Sequence, residues 1–328
     1  MTWLTWIAAR PDAVLFAIGD ENGRIRVWMP ADNRVVATHD TGQFVNRVGW
    51  TADGKHLLAT GARGDLLVFD HDGTLEQTIA TGHDPIRSFG VHPSEPLVAT
   101  AGSEGRVKVW DLTTRTVRLE LPAEKSGVTA VGMANAQVFA GLESGVFVIW
   151  ELATGKELAG GQLFGSSYVS ACAAKPNGTT FVFGGGRGSM VAVDDKWVSV
   201  HVWKHPPKPI ATNSIEMLAD GRMIAAHSDD TASLFDAPRA PFPTSMGNAF
   251  YTDRKSWEQK YIVSSACFVP TTKLAATSHF TGALRIWEVD GYPWKKAEVS
   301  FEGDEPKLVD GNDEPITDAA AWWTKLTS

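Results

Sequence analysis

"GRVKVWDL", residues 105–112, places a glycine five residues before a tryptophan and an aspartate directly after it. The same spacing recurs along the chain. "GRIRVW" runs from Gly23 to Trp28, "GDLLVFD" begins at Gly64 and carries Phe69, and "GVFVIWE" begins at Gly145 and carries Trp150. "GSMVAVD" puts Val193 at the anchor, "DTASLFD" puts Phe235 there with Asp230 in the glycine's place, and "GALRIWE" ends the series with Trp287. The anchors 28, 69, 110, 150, 193, 235 and 287 are spaced by 41, 41, 40, 43, 42 and 52 residues. A period of about 40 is the mark of a repeat architecture.

Each unit reads as four short strands. An alternating apolar segment such as "FVNRVGW" is followed by a turn such as "TADGK", then a second apolar run such as "HLLAT". The glycine turn leads into the anchor strand, and a more polar strand such as "TVRLEL" closes the unit. Four short strands per repeat predict an all-β, seven-bladed β-propeller of four-stranded antiparallel blades. The turn between the second and third strands needs positive φ, which glycine adopts without Cβ strain. Five residues on, strand alternation puts a bulky side chain on the opposite face, where it fills the wedge against a neighbouring blade.

The pattern resembles the WD-repeat family of seven-bladed propellers over residues 3–301. The residues that carry the resemblance are "VWD" at 109–111, "VFD" at 68–70, "IWE" at 149–151 and 286–288, and "TGHDPI" at 81–86. The Trp-Asp pair is complete only at Trp110–Asp111 and the Gly-His pair only at Gly82–His83. Family blades often hold an acid just before the turn glycine, joined to a buried His–Ser/Thr–Trp set. Asn22, Arg63, Glu104, Ser144, Arg187 and Thr281 occupy that place here, with Asp229 the one match. The network is therefore expected to be missing from most blades.

The ends pose a closure question. "WLTWIAA" at 3–9 reads as a first strand, and "PITDAAAWW" at 315–323 reads as another. The second could pack on the seam or a face of the ring, flank the first strand, or begin a further element. Residues 302–315, with six carboxylates and one lysine, read as an acidic solvated linker between the ring and a strand-like segment at 316–328.

The totals exclude several classes. Net charge is −8 and pI about 5.6, which gives no general attraction to nucleic acid. The apolar opening lacks a basic n-region, and no run of about 18 apolar residues is present, so neither a leader nor a membrane partner is expected. Two cysteines cannot make a disulfide scaffold and fit a reducing, cytoplasmic setting.

Candidate chemistry fails on mechanics. "FGGGRGS" at 183–189 lacks the Gly-Lys-Ser/Thr ending of a phosphate cradle, and "HVWKH" at 201–205 spreads its histidines by about 13 Å along a strand. "DGNDE" at 310–314 lacks the length of a calcium loop. No G-x-S-x-G elbow is present, and His92, His227 and His279 fall on different blades. No catalytic residue, metal or cofactor is expected.

The resemblance implies a non-catalytic scaffold that binds a protein or peptide partner within a multiprotein complex. Family partners commonly contact one face, near the inner-strand starts and the second-to-third-strand turns. Those positions here include Trp3, Phe44, Arg87, Tyr168 and Phe280, the aromatic and arginine types that anchor interfaces. Thr5, Asn46, Ser103, Thr129, Glu143, Ser170 and Ser264 lie beside them. A second candidate is the stretched sixth unit, residues 236–261, with Phe242, Phe250, Tyr251, Arg254 and Trp257. The rival readings are an enzyme or small-ligand binder using the central channel, and a phosphopeptide reader using Arg87 and Arg187.

Overall fold

A computed structural model describes residues 2–187, 189–204, 210–229, 231–235, 249–251, 262–289 and 294–327. It contains seven antiparallel sheets in chain order, six of four strands and one of five. The innermost strands are Leu4–Ala9, Val45–Trp50, Ile86–Val91, Val128–Ala134, Val169–Ala174, Thr212–Met217 and Val263–Val269. Each contacts the inner strand of the next blade, and Leu4–Ala9 of blade 1 contacts Val263–Val269 of blade 7, so the sheets form a closed ring.

The repeated glycines sit where a left-handed backbone is needed. Gly23, Gly64, Gly105, Gly145 and Gly282 have φ between 76° and 93°. A Cβ on Gly64 would stand 2.0 Å from the His83 carbonyl oxygen, so backbone approach as well as φ excludes a side chain.

The anchors occupy one register throughout. Trp28 pairs with Phe16, Phe69 with Leu57, Trp110 with Val98, Trp150 with Val138, Val193 with Phe181, Phe235 with Met223 and Trp287 with Ala275. All seven anchors are buried, each in the wedge against the preceding blade. The apolar core is thus seven wedge clusters, and the C-terminal segment adds Leu308 and Trp323 to the wedge between blades 7 and 1.

That segment departs from the sequence reading. Glu305–Asp310, inside the expected acidic linker, is the fifth strand of blade 7, paired with Trp294–Glu302 around a turn at Gly303. Its charges dominate the composition, but Leu308 is buried and joins the blade 7–blade 1 wedge. The expected strand-like segment contains a helix instead, Ala319–Thr327. Three consecutive alanines favour helix, and the Asp318 carboxylate caps the Ala321 N–H at 2.9 Å. Trp323 from this helix is buried among Leu4, Phe16 and Trp28 of blade 1 and Val299 of blade 7.

Closure therefore uses no exchanged strand. Blades 1 and 7 are each completed by their own repeat, and polar stitches cross the seam. Arg26 of blade 1 pairs with Asp20 at 2.7 Å, donates to the Gly303 carbonyl at 3.0 Å and lies over the Phe301 ring. Asn33 donates to the Pro306 carbonyl at 3.2 Å. The expected loss of the buried polar network does not hold for two blades. Blade 7 keeps a Trp287–Thr277–His279 set, with Trp287 donating to Thr277 Oγ1 at 2.8 Å and Thr277 meeting His279 at 2.8 Å. Blade 3 keeps the acid as well. There Trp110 donates to Thr100 Oγ1 at 2.8 Å, Thr100 meets His83 at 3.0 Å, and the Glu104 carboxylate contacts His83 Nδ1. Glutamate reaches where the family uses a shorter acid.

Candidate functional site at the mouth of the bore

Every inner strand skips one residue in its pairing with the second strand. The unpaired residues are Thr5, Asn46, Arg87, Thr129, Ser170, Asn213 and Ser264, always the second of the strand. Such a bulge re-aims one side chain out of the alternating pattern. All seven are polar. Asn46 donates to the Ile86 carbonyl at 3.2 Å, Asn213 to Val263 at 2.8 Å, Ser264 to Leu4 at 2.7 Å, and Thr129 to Val169. Each acceptor is the first residue of the next blade's inner strand. The seam between blades 7 and 1 follows the same rule as three of the other junctions.

A second set of junction bonds lies one residue further along. Ser88 accepts from the Val131 N–H, Ser214 from Ala266 and Ser265 from Ile7, at 3.1, 3.0 and 2.7 Å. The mouth is therefore built on hydrogen-bonded backbone from successive blades, a stiff support for whatever projects above it.

What projects is aromatic. A cavity of about 390 Å³ opens there, lined on blades 1 and 2 by Thr5, Trp6, Phe44 and Asn46. Blade 5 contributes Tyr168 and Ser170, blade 6 Asn213 and Ser228, and blade 7 Ser264 and Phe280. Trp3 stacks on Phe280 with ring centroids 5.2 Å apart and planes 5° from parallel. Trp3, Phe44 and Tyr168 are 47%, 42% and 43% exposed, and they are the exposed aromatic side chains among the described residues.

Four of the five rim residues expected from sequence thus converge. Arg87 stands apart on blade 3, held by Ser103 at 2.8 Å and facing Glu143 at 3.4 Å, and it does not line the cavity. Of the stretched sixth unit, Ala249–Tyr251 forms the outer strand of blade 6, with Phe250 opposite Ala232 and Tyr251 opposite Thr231. Those two residues therefore belong to the blade rather than to an appended loop. Phe242, Arg254 and Trp257 lie outside the described residues.

Sequence reasoning missed Trp6, Asn213 and Arg47. The signal was available, since aligning the seven inner strands puts Asn213 with Asn46 and Trp6 with Arg47. Arg47 is half-buried, lies over the Trp6 ring at 4.1 Å and donates to the Phe89 carbonyl at 3.1 Å. Burial lowers its pKa to about 10. The Cys172 thiol, opposite on blade 5, is pushed up to about 12 by burial and stays neutral. Glu216 on the blade 6 inner strand is raised to about 8 by burial, opposed by a hydrogen bond from the Phe268 backbone. Among the described residues, no group of three or more His, Cys, Asp or Glu side chains could hold a metal ion, and no helix is long and apolar enough to cross a membrane.

Seven antiparallel blades with Trp, Phe or Val anchors in their wedges make the chain a seven-bladed β-propeller, whose divergent repeats are similar to those of the WD-repeat class. The family model for the WD domain, G-beta repeat, matches residues 73–111, the stretch that carries the whole His83–Thr100–Trp110 set. The chain is 29% identical over 138 residues to a pre-rRNA-processing protein, IPI3, of Mycosarcoma maydis, covering 35% of this chain and 24% of that protein. It is 22% identical over 218 residues to WD repeat-containing protein 90 of Homo sapiens, covering 64% of this chain and 12% of the relative. A protein transport protein, SEC31, of Mycosarcoma maydis is 25% identical over 225 residues, covering 62% and 14%. The matches span about a quarter or less of these relatives' lengths.

Proposed function

We propose that the chain is a non-catalytic docking platform that binds a protein or peptide partner across the mouth of its bore. The observation that carries this reading is the placement of the exposed aromatics. Among the described residues the exposed aromatic side chains are Trp3, Phe44 and Tyr168, and all three stand around one opening. Rigid aromatic side chains on a stiff support are the usual energetic anchors of an interface, because little entropy is lost when they are covered. The names of the relatives point to different processes, rRNA processing and protein transport, and the shared feature is the repeat itself. That supports an interaction module within larger assemblies over a single conserved chemistry. With net charge −8 the partner surface is read as protein and not nucleic acid, and the two free thiols suit the cytoplasm.

The test compares the intact chain with Phe44→Ala and Tyr168→Ala as baits in native extract, after confirming that both variants melt like the parent. Proteins retained by the parent and lost from both variants support the mouth as the docking face. Identical partner sets in all three would remove it from consideration.

A further inference from the structure

Two of the exposed aromatics, Phe44 on blade 2 and Tyr168 on blade 5, line the same cavity, and each has an exposed arginine beside it. Arg63 and Arg187 occupy the position before the turn glycine on those two blades. Their turns hold them against the mouth. The Arg63 N–H donates to the Gln43 side chain at 2.8 Å, and Gln43 directly precedes Phe44. On blade 5 the N–H of Gly186, next to Arg187, donates to the Tyr168 carbonyl at 3.0 Å. A Cβ on Gly186 would stand 2.6 Å from the Tyr168 ring. Blades 2 and 5 are three places apart in a ring of seven, so the two aromatic–arginine pairs face each other across the bore.

Charge at these turns is distributed selectively. The two positions before the turn glycine carry, over the seven blades, four acids and two arginines. Each acid is engaged within the protein. Glu21 accepts the Trp3 N–H at 2.9 Å, Glu104 contacts His83, Glu143 faces Arg87 at 3.4 Å, and Asp229 accepts the Thr231 hydroxyl at 2.6 Å. The side chains of Arg63 and Arg187 have no partner among the described residues. Nor does the net charge of −8 describe the mouth. Residues 302–318, at the perimeter on blade 7, hold seven carboxylates and one lysine, and so supply most of it.

Building on the docking role argued above, we infer that the occupant of the mouth is an acidic segment of a partner protein, lying across the bore from blade 2 to blade 5. Apolar side chains in its middle cover Phe44 and Tyr168, and Glu or Asp side chains towards its ends meet Arg63 and Arg187. A guanidinium fork matches a carboxylate. A phosphate carries nearly two charges and is best held by clustered arginines, whereas these two stand singly on opposite blades. Exposed ion pairs add little affinity each and act mainly on selection and association rate, while the aromatics supply the anchorage.

A random dodecapeptide library displayed on phage tests this, with the full chain as bait and the Phe44→Ala, Tyr168→Ala double variant as counter-bait. Clones held by the parent alone combine an apolar or aromatic centre with several Glu or Asp and few Lys or Arg. With the strongest clone as a free peptide, the Arg63→Gln, Arg187→Gln double variant binds about fivefold more weakly at low salt and loses most of the salt dependence. Arg115→Gln, at the far end of blade 3, leaves binding unchanged. Arg63→Glu with Arg187→Glu shifts preference to the same peptide with Lys in place of its acids. All the substituted arginines are exposed, and melting like the parent confirms the fold of each variant. Neutral or basic clones, no clone that separates parent from counter-bait, or an affinity unmoved by Arg63→Gln with Arg187→Gln overturns the acidic assignment. So does a gain of about tenfold when phosphoserine replaces the peptide's acids, which would make the occupant a phosphopeptide. The docking reading is decided separately, by partner loss in native extract with Phe44→Ala and Tyr168→Ala, so a mouth that docks segments of another charge is told apart from one that docks nothing.

Discussion

Replacing Trp323 by alanine tests how the ring is closed. The indole is 6% exposed and contributes to the cluster that joins blade 7 to blade 1. Removing a fully packed tryptophan ordinarily costs ~3–5 kcal/mol. The helix that carries it is terminal, so it can detach rather than leave a cavity, which favours the lower end, about 3 kcal/mol. Trp322, on the same helix but only half-buried, is the control and should cost less than about 1 kcal/mol. Urea unfolding measures the totals, and hydrogen exchange locates them. In Trp323→Ala, amides of Leu4–Ala9 and Val263–Val269, which flank the seam, should exchange faster, while Val128–Ala134 on the far side keeps its protection. A loss below about 1 kcal/mol, or protection lost evenly around the seven blades, would show that the C-terminal helix does not latch the seam.

Two further outcomes follow from buried polar groups. Thr100→Val removes the oxygen shared by His83 and Trp110, leaving both ring nitrogens without that partner, and should destabilise by about 1–3 kcal/mol in denaturant titration. Glu216 sets a pH dependence whose sign is fixed by burial. Its folded pKa near 8 lies above the ordinary carboxylate range, so the native state holds a proton that the unfolded chain releases. Stability should fall as pH rises from about 5 to about 8, by at most ~1.4 kcal/mol per pH unit, and Glu216→Gln should flatten that slope in thermal melts.

Much of the fold was legible because a propeller repeats its instructions. The Gly-to-anchor spacing fixes a hairpin and a wedge residue together, and seven copies leave little freedom for another topology. The C-terminal segment was misread because it occurs once. Without a repeat to compare, the six carboxylates of residues 302–315 outweighed Leu308, although one buried side chain suffices to hold an edge strand. "DAAAWW" was read by analogy to a first strand, where the alanine run and the preceding aspartate are helix-start signals. The Glu104 contact was also hidden, since a mismatch of residue type masked a match of chemical group.

The mouth shows why sites are harder to read than folds. A ring needs its units equal where blades pack, and it can bind selectively only where they differ. The bulged second residue is polar in all seven inner strands, and in four of them it makes the same bond to the next blade, so that tier is scaffold. The residue just before each inner strand obeys no such rule. Trp3, Phe44, Pro85, Gly127, Tyr168, Ala211 and Ile262 occupy it, with the aromatics confined to blades 1, 2 and 5. In the tier below the bulges the residues are Trp6, Arg47, Ser88, Ala130, Ala171, Ser214 and Ser265. The three serines there each accept a hydrogen bond from the next blade, and Arg47 donates to the next blade's Phe89 carbonyl while its guanidinium lies over Trp6. Blades 1 and 2 depart from the repeat in both tiers and at the same side of the bore. Trp6 packs on the wedge between blades 1 and 2 and Arg47 bonds blade 3, so in that tier the departures serve the junction, whereas Phe44 and Tyr168, exposed and lining the cavity, are the departures that the docking reading rests on.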